Sequence, residues 1–404
     1  MANAENNMNM TFPFHVLLLL ALFCFTSPLQ ARGPALELWH SQQAGYVIDE
    51  VIARFNREQD QRVSVLQIEP SKIKGDILLA AQSRGLPDLM LIPSDFLGLY
   101  RQMKLAPLPA DWFSNELMAE TLSYVTLDRQ RWGMPMMQGN HLMLFYNKEL
   151  VSTPVTEWQQ FAQIAPDLTA RGIMPISWPY EDMYYLAAFL RTFGGSPVTD
   201  GRITLDTPAM VQALEAYRTV ARQGWVDPDG DYDAALSRFS TGRSAYLING
   251  DWAFSDLTKN MGERLGVALL PAWQTRPMSS MSGAYVIGVA ASAMEDEDRR
   301  PVIQALMAFI QRSDTQDFIY RRGALLPVNR DSFAAIGQSP DPRARVLLEQ
   351  FTRSAPMPSG SAMAVAWQAM ATGFERAREG GSATDTARYM QQLADRQHLQ
   401  VNAP

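Results

Sequence analysis

Apolar positions along this chain switch repeatedly between two spacings. Ala35 to Trp39 is a short apolar run, and Tyr46, Ile48, Val51, Ile52 and Phe55 then recur at the spacing of one helix face. Val63 to Ile68 returns to alternation, and Ile73 to Ala81 is again helical. Pro87-Asp88 introduces the run Leu89 to Ile92, after which Ser94 or Asp95 is placed to cap another helix. This βαβα order predicts an α/β fold built on a mostly parallel sheet with helices on its faces. Further along, Thr207 as N-cap, Pro208 in the first turn, an apolar face through Val211, Leu214, Tyr217 and Ala221, and Gly224 beyond the end mark one more helix. Val302, Ile303, Leu306, Phe309 and Ile310 form another stripe. Met363 to Arg378 and Thr384 to Arg396 predict two helices near the C-terminus.

The N-terminal segment reads as an address. Val16 to Phe25 is an apolar run of ten, about half the length needed to span a bilayer, and Pro28, Gln30 and Arg32 close it off. Residues 1–31 are expected to be a signal peptide cut after Ala31, although Glu5 is the only charge before the run. Use of Cys24 as a lipid acceptor is disfavoured by the bulky Phe23 ahead of it. Cleavage would remove the single cysteine and one acidic charge, taking the chain from −7 to −6. Export to the periplasm follows. The remaining length, near 373 residues, exceeds what one compact core serves, so two lobes are expected.

Composition narrows the chemistry. Thirty-five basic against forty-two acidic side chains give no positive surface for nucleic acid, and four scattered histidines with one cysteine offer neither a metal cage nor a disulfide framework. No cofactor is expected. No G-x-G-x-x-G after a strand, Walker loop or G-x-S-x-G elbow is present. Ser71-Lys72-Ile73-Lys74 fits S-x-x-K without the partner motifs. Asp227 to Asp233 starts like a calcium loop but has Tyr232 where the turn needs glycine and Arg238 where a bidentate glutamate belongs, so it reads as a solvated turn with Asp231 or Asp233 capping the next helix. Aromatic residues carry more information. Trp39, Trp178, Trp252 and Trp367 each fall near an element end beside polar or small residues, where a ring can face a cleft and cover the C–H face of a sugar.

Two stretches are specific. Asn140-His-Leu-Met-Leu-Phe-Tyr-Asn-Lys-Glu-Leu150, preceded by Trp132-Gly-Met-Pro135, resembles the "G-x-P … L-x-Y-N-K-D-L" segment of the extracellular solute-binding proteins (family 1) of carbohydrate ABC importers. Phe239 through Gly250-Asp-Trp252-Ala is similar to that family's "F-x-x-G-x-x-A-M-x-I-N-G-P-W-A". Asp95 with Tyr100, Phe193-Gly-Gly195, Pro327-Val-Asn329 and Pro356-Met-Pro358 fall in the same order, so the resemblance runs from about Ala35 to Arg396 and is nearest the maltose-binding branch.

That resemblance implies a two-lobe periplasmic-binding-protein fold (type II) with the ligand between the lobes. The chain would cross near Gln138 to Asn140, Ser280 to Val286 and Pro327 to Asp331, giving lobe 1 as 33–139 plus 284–330 and lobe 2 as 140–283 plus 331–404. Trp252 and Trp367 match the two tryptophans that stack on sugar rings, and Tyr184 matches a third aromatic. Asp95 and Asp182 match carboxylates that accept sugar hydroxyls. Asn140 stands where the family has glutamate, Phe96 where it has arginine, and Ala44 where it has lysine, which leaves Ser41 and Gln43 as the polar candidates of the first loop. The expected role is therefore binding of a di- or oligosaccharide without turnover, and delivery to a membrane permease or a chemoreceptor by a monomer. Trp39-His40-Ser41 also resembles binding proteins for glycerol 3-phosphate and its diesters, a second reading for which His40 and the helix opening near Gln43 to Tyr46 would supply the phosphate site. A secreted glycoside hydrolase is the rival from another class, since its paired carboxylates follow no motif.

Overall fold

Strand and helix alternate from the first described residues onward. The computed structural model describes residues 35–83 and 85–401, with side chains to residue 397; the expected signal peptide lies outside the described residues. β1 (Leu36–His40), β2 (Val63–Gln67) and β3 (Leu89–Pro93) pair in parallel, with α1 (Gly45–Gln59) and α2 (Ile73–Ser83) as their connections. The apolar stripe of α1 behaves as its spacing predicts: Ile48, Val51, Ile52 and Phe55 are buried against this sheet. Tyr46 departs from it. Its ring is half-buried and its hydroxyl lies 2.6 Å from Ser255 Oγ and 2.9 Å from the Arg322 carbonyl.

A second sheet has its own core. β4 (Met134–Gly139) belongs to the first sheet, and β5 (Leu142–Asn147), only two residues later, belongs to the second, beside β6 (Met174–Ser177), β7 (Ser244–Gly250) and β8 (Leu265–Ala268) in the order β8-β5-β7-β6. Here only the pairing of β7 with β6 is parallel; β5 runs antiparallel to both β7 and β8. The expectation of a mostly parallel sheet therefore fails for this half. Strand β5 joins this sheet straight from the crossing, and its two neighbours, β7 and β8, come from much later in the chain.

The chain returns to the first sheet in β9 (Met281–Val289), which runs antiparallel to both β3 and β4 and also pairs in parallel with the two-residue strand β10 (Ala355–Pro356). The three expected crossings lie side by side. Gln138 N donates to Leu326 O at 2.9 Å, its side-chain amide donates to Pro327 O at 2.7 Å, and Leu142 N donates to Ser280 Oγ at 3.0 Å. Gly139 at φ +125° and Asn140 at φ +47° make the first of these turns, and a Cβ at position 139 would sit 1.9 Å from Asp251 Oδ2. Only glycine fits that point.

Helix signals are mostly where the sequence puts them. Thr207 accepts from Met210 N at the start of α3 (Pro208–Arg222), and Asp231 rather than Asp233 accepts from Ala234 N at the start of α4 (Tyr232–Ser240). The apolar stripe from Val302 to Ile310 is buried in helix Arg299–Gln311. After β3 the expected capped helix is instead a 3-10 turn, Ser94–Leu99, with no side-chain cap: Ser94 Oγ is turned inward and accepts from Ala284 N at 3.2 Å.

Candidate functional site

The cavity that matters lies where the two sheets' loops meet, and it has a volume of about 430 Å³. Ser41, Gln43, Asp95, Asn140, Asp182, Tyr184, Trp252 and Trp367, the eight candidates read from the sequence, all line it. From the first half come the loop after β1, which carries Ser41 and Gln43, and the turn after β3, which carries Asp95. From the second come the N-terminus of helix Met183–Thr192, the 3-10 turn Asp251–Ala253 after β7, and helix Ser361–Arg378. Asn140 stands at the crossing.

The aromatic wall is continuous. Tyr184 lies 6.2 Å from Trp252 and 6.0 Å from Trp367, centroid to centroid, and all three rings are half-buried with a face left toward the cavity. The helix bearing Trp367 is pressed onto the turn bearing Asp95: a Cβ at Gly98 would lie 2.3 Å from the Gly360 carbonyl oxygen. Trp178 and Trp39 are corrections. Trp178 is 1% exposed in the second core, its indole N–H donating to the Tyr217 hydroxyl at 2.8 Å, and Trp39 packs half-buried on the first core away from the cavity. Being near an element end does not say which way a ring points; the surfaces packed around it do.

The polar groups are mainly acidic. Asp182 caps its helix by accepting from Tyr184 N at 2.9 Å. Its surface is reached by water from the cleft, and desolvation by the protein around it pushes its carboxyl above the usual range. Asp95 is pushed up for the same reason, opposed by the Lys74 ammonium and by the indole N–H of Trp367. Glu69 and Asp233 also line the cavity, giving four carboxylates against one lysine and no arginine among its lining residues. Lys74 sits 5.1 Å from the Phe96 ring centroid. His40 is fully buried behind the loop, accepts from Gln42 N through Nδ1, and is held neutral by desolvation that lowers its pKa.

Sequence reasoning missed several lining residues. Lys74 belongs to the S-x-x-K stretch and Asp233 to the aspartate run, both set aside for lack of a motif. Tyr185, Tyr232 and Tyr285 gave no signal at all, because a tyrosine's neighbours across a cleft are not encoded in spacing. In the Asp227 run, Asp227 pairs with Arg238 and Asp231 caps a helix, and among the described residues no cluster of three or more metal-ligating side chains occurs.

A profile of the bacterial extracellular solute-binding protein family matches residues 50–345. The chain belongs to that family. The galactooligosaccharide-binding protein of Bacillus subtilis (strain 168) is 21% identical over 92% of this chain and 91% of its own length. A maltooligosaccharide ABC transporter solute-binding lipoprotein of Streptococcus pneumoniae (strain ATCC BAA-255 / R6) is 22% identical over 79% of this chain and 78% of its own. The sn-glycerol-3-phosphate-binding periplasmic protein UgpB of Brucella melitensis is 21% identical over 46% of each chain. The family assignment accounts for the two-lobe α/β architecture, and these relatives are binding proteins by name.

Proposed function

We propose that this chain is the periplasmic binding component of an ABC importer and that its cleft takes a neutral di- or oligosaccharide. The observation that carries the reading is the aromatic wall of Tyr184, Trp252 and Trp367 sharing one cavity with the Asp95 and Asp182 carboxylates, the pairing of flat apolar faces and acceptors that suits C–H faces and hydroxyls. Two indoles covering roughly 300 Å² of apolar surface contribute about 7 kcal/mol gross at ~25 cal/mol per Å². Hydrogen bonds of about 1 kcal/mol each then offset the several kcal/mol that association costs, so micromolar affinity, roughly −8 kcal/mol, needs no charged ligand.

A phosphate ligand is disfavoured by the same lining, since four carboxylates and one lysine repel a dianion. The proposed lobes are 33–139 with 284–330 and 140–283 with 331–404, a division supported by the separate cores beneath the two sheets. Residues 1–31 are proposed as a cleaved signal peptide, and the mature chain as a monomer that presents its closed form to a permease or a chemoreceptor and turns nothing over. A thermal-shift screen over mono-, di- and oligosaccharides and glycerol phosphates tests this, followed by product analysis after incubation. A rise in melting temperature with an oligosaccharide that is recovered intact supports it; stabilisation only by glycerol phosphates, or cleavage products, rejects it.

A further inference from the structure

The Tyr232 hydroxyl has neighbours from both sides of the cleft. A phenol has one proton to donate and two positions at which to accept. Here the Trp252 indole N–H donates to it at 3.2 Å and the Asn249 amide N–H at 3.1 Å, which fills both acceptor positions from the second half. The single proton goes to Gln43 Oε1 at 2.9 Å, on the loop after β1 of the first half. Asn249 Oδ1 is the competing acceptor, at 3.3 Å, but it already receives the Gly250 N–H at 2.8 Å. Gln43 Oε1 is the nearer of the two acceptors for that proton, and it is at hand only while Gln43 is in place.

We infer that Tyr232 is a positioning residue that couples the orientation of the Trp252 ring to closure of the cleft, with Gln43 as its catch on the opposite side. When the halves separate, the phenol loses its acceptor and its proton turns toward Asn249 Oδ1, in competition with Gly250 N–H. The shared hydroxyl then binds the indole N–H under altered geometry. Closure by contrast orders Gln43, Tyr232, Asn249 and Trp252 together, so the ring is aligned as the cleft shuts. The consequence for sugar recognition rests on the proposed function, but the coupling itself is a property of the protein.

The test reads Trp252 emission as the difference between each protein and its Trp252→Phe counterpart, together with small-angle X-ray scattering, on the wild type, Tyr232→Phe, Gln43→Leu and the double variant. The expected result is that Gln43→Leu, on the far side of the cleft, shifts Trp252 emission in the same sense as Tyr232→Phe. Both variants should also enlarge the radius of gyration, and the double variant should add nothing further. An unchanged Trp252 signal in Gln43→Leu overturns the coupling. A merely structural role for Tyr232 would leave Gln43→Leu silent, and circular dichroism confirms that each variant is folded. With maltotriose as probe, Tyr232→Phe is expected to lose affinity about fivefold, from the loss of the one of its hydroxyl's bonds that spans the cleft, that to Gln43. Failure of the wild type to bind any sugar in the screen would sink the sugar reading while the emission comparison still decides the coupling.

Discussion

The Tyr184 hydroxyl donates to the main-chain carbonyl of Asn140, the residue at φ +47° where the chain first leaves one sheet for the other. The Met281 carbonyl of the second crossing stands 3.2 Å from the same oxygen. One aromatic side chain thus presents its ring to the cavity and its polar end to two crossing segments, which makes it a strut of the hinge as well as part of the wall. Burial and nearby carboxylates push its phenol far above the usual range, so it stays a donor at any working pH.

Tyr184→Phe keeps the ring and removes the strut. It leaves the Asn140 carbonyl without its partner, and such a loss costs roughly 1–3 kcal/mol. Chemical denaturation should register that drop, while stacking on a sugar ring is retained.

Gly139→Ala should be the more severe hinge variant. Its φ of +125° is a conformation that L side chains avoid, and the added Cβ would overlap Asp251 Oδ2. Strain of about 1–3 kcal/mol from the backbone adds to the steric displacement of a buried carboxylate. A melting temperature within a degree of wild type would contradict this account.

Trp252→Ala and Trp367→Ala should each weaken oligosaccharide binding about 500-fold, from roughly half of the 300 Å² of stacking area apiece, about 3.75 kcal/mol. Because both rings are half-exposed, the variants should remain folded. Isothermal titration with the best ligand of the screen measures the loss; unaltered affinity in both would reject the stacking assignment.

The raised pKa values of Asp95 and Asp182 set a pH dependence with a definite sign. Burial disfavours the charged forms, so their folded values lie above the unfolded value of about 3.9. Their stability contribution is full below the unfolded value and is lost as pH rises through the folded one. Asp95→Asn should therefore raise the melting temperature of the free protein at neutral pH while lowering its affinity for a sugar whose hydroxyl it accepts. In the wild type, affinity should begin to fall on acidification before an ordinary aspartate would titrate. Identical melting temperatures for Asp95→Asn and wild type from pH 4 to 8 would argue against the burial effect.

Local signals in the sequence settled local structure. The Thr207 and Asp231 caps, the stripes of Gly45–Gln59 and Arg299–Gln311, and the strand–helix alternation needed only spacing and hydrogen-bonding chemistry within a few residues. The family resemblance, anchored by the two long motifs around Asn140 to Leu150 and Phe239 to Trp252 and followed along the chain, nominated eight residues that line one cavity. What the tertiary structure decided concerns direction and partnership across large sequence separations. Trp178 went to the core and Trp252 to the cleft although both sit near strand ends, because the neighbouring surfaces and not the spacing determine where a ring finds cover. The antiparallel pairing of Leu142–Asn147 with two strands from much later in the chain is marked by no periodicity. The strut from Tyr184 to Asn140 and the catch from Tyr232 to Gln43 join residues 44 and 189 positions apart. Hydrogen bonds of that kind depend on where two separately folded surfaces meet, and a linear pattern carries no record of that meeting.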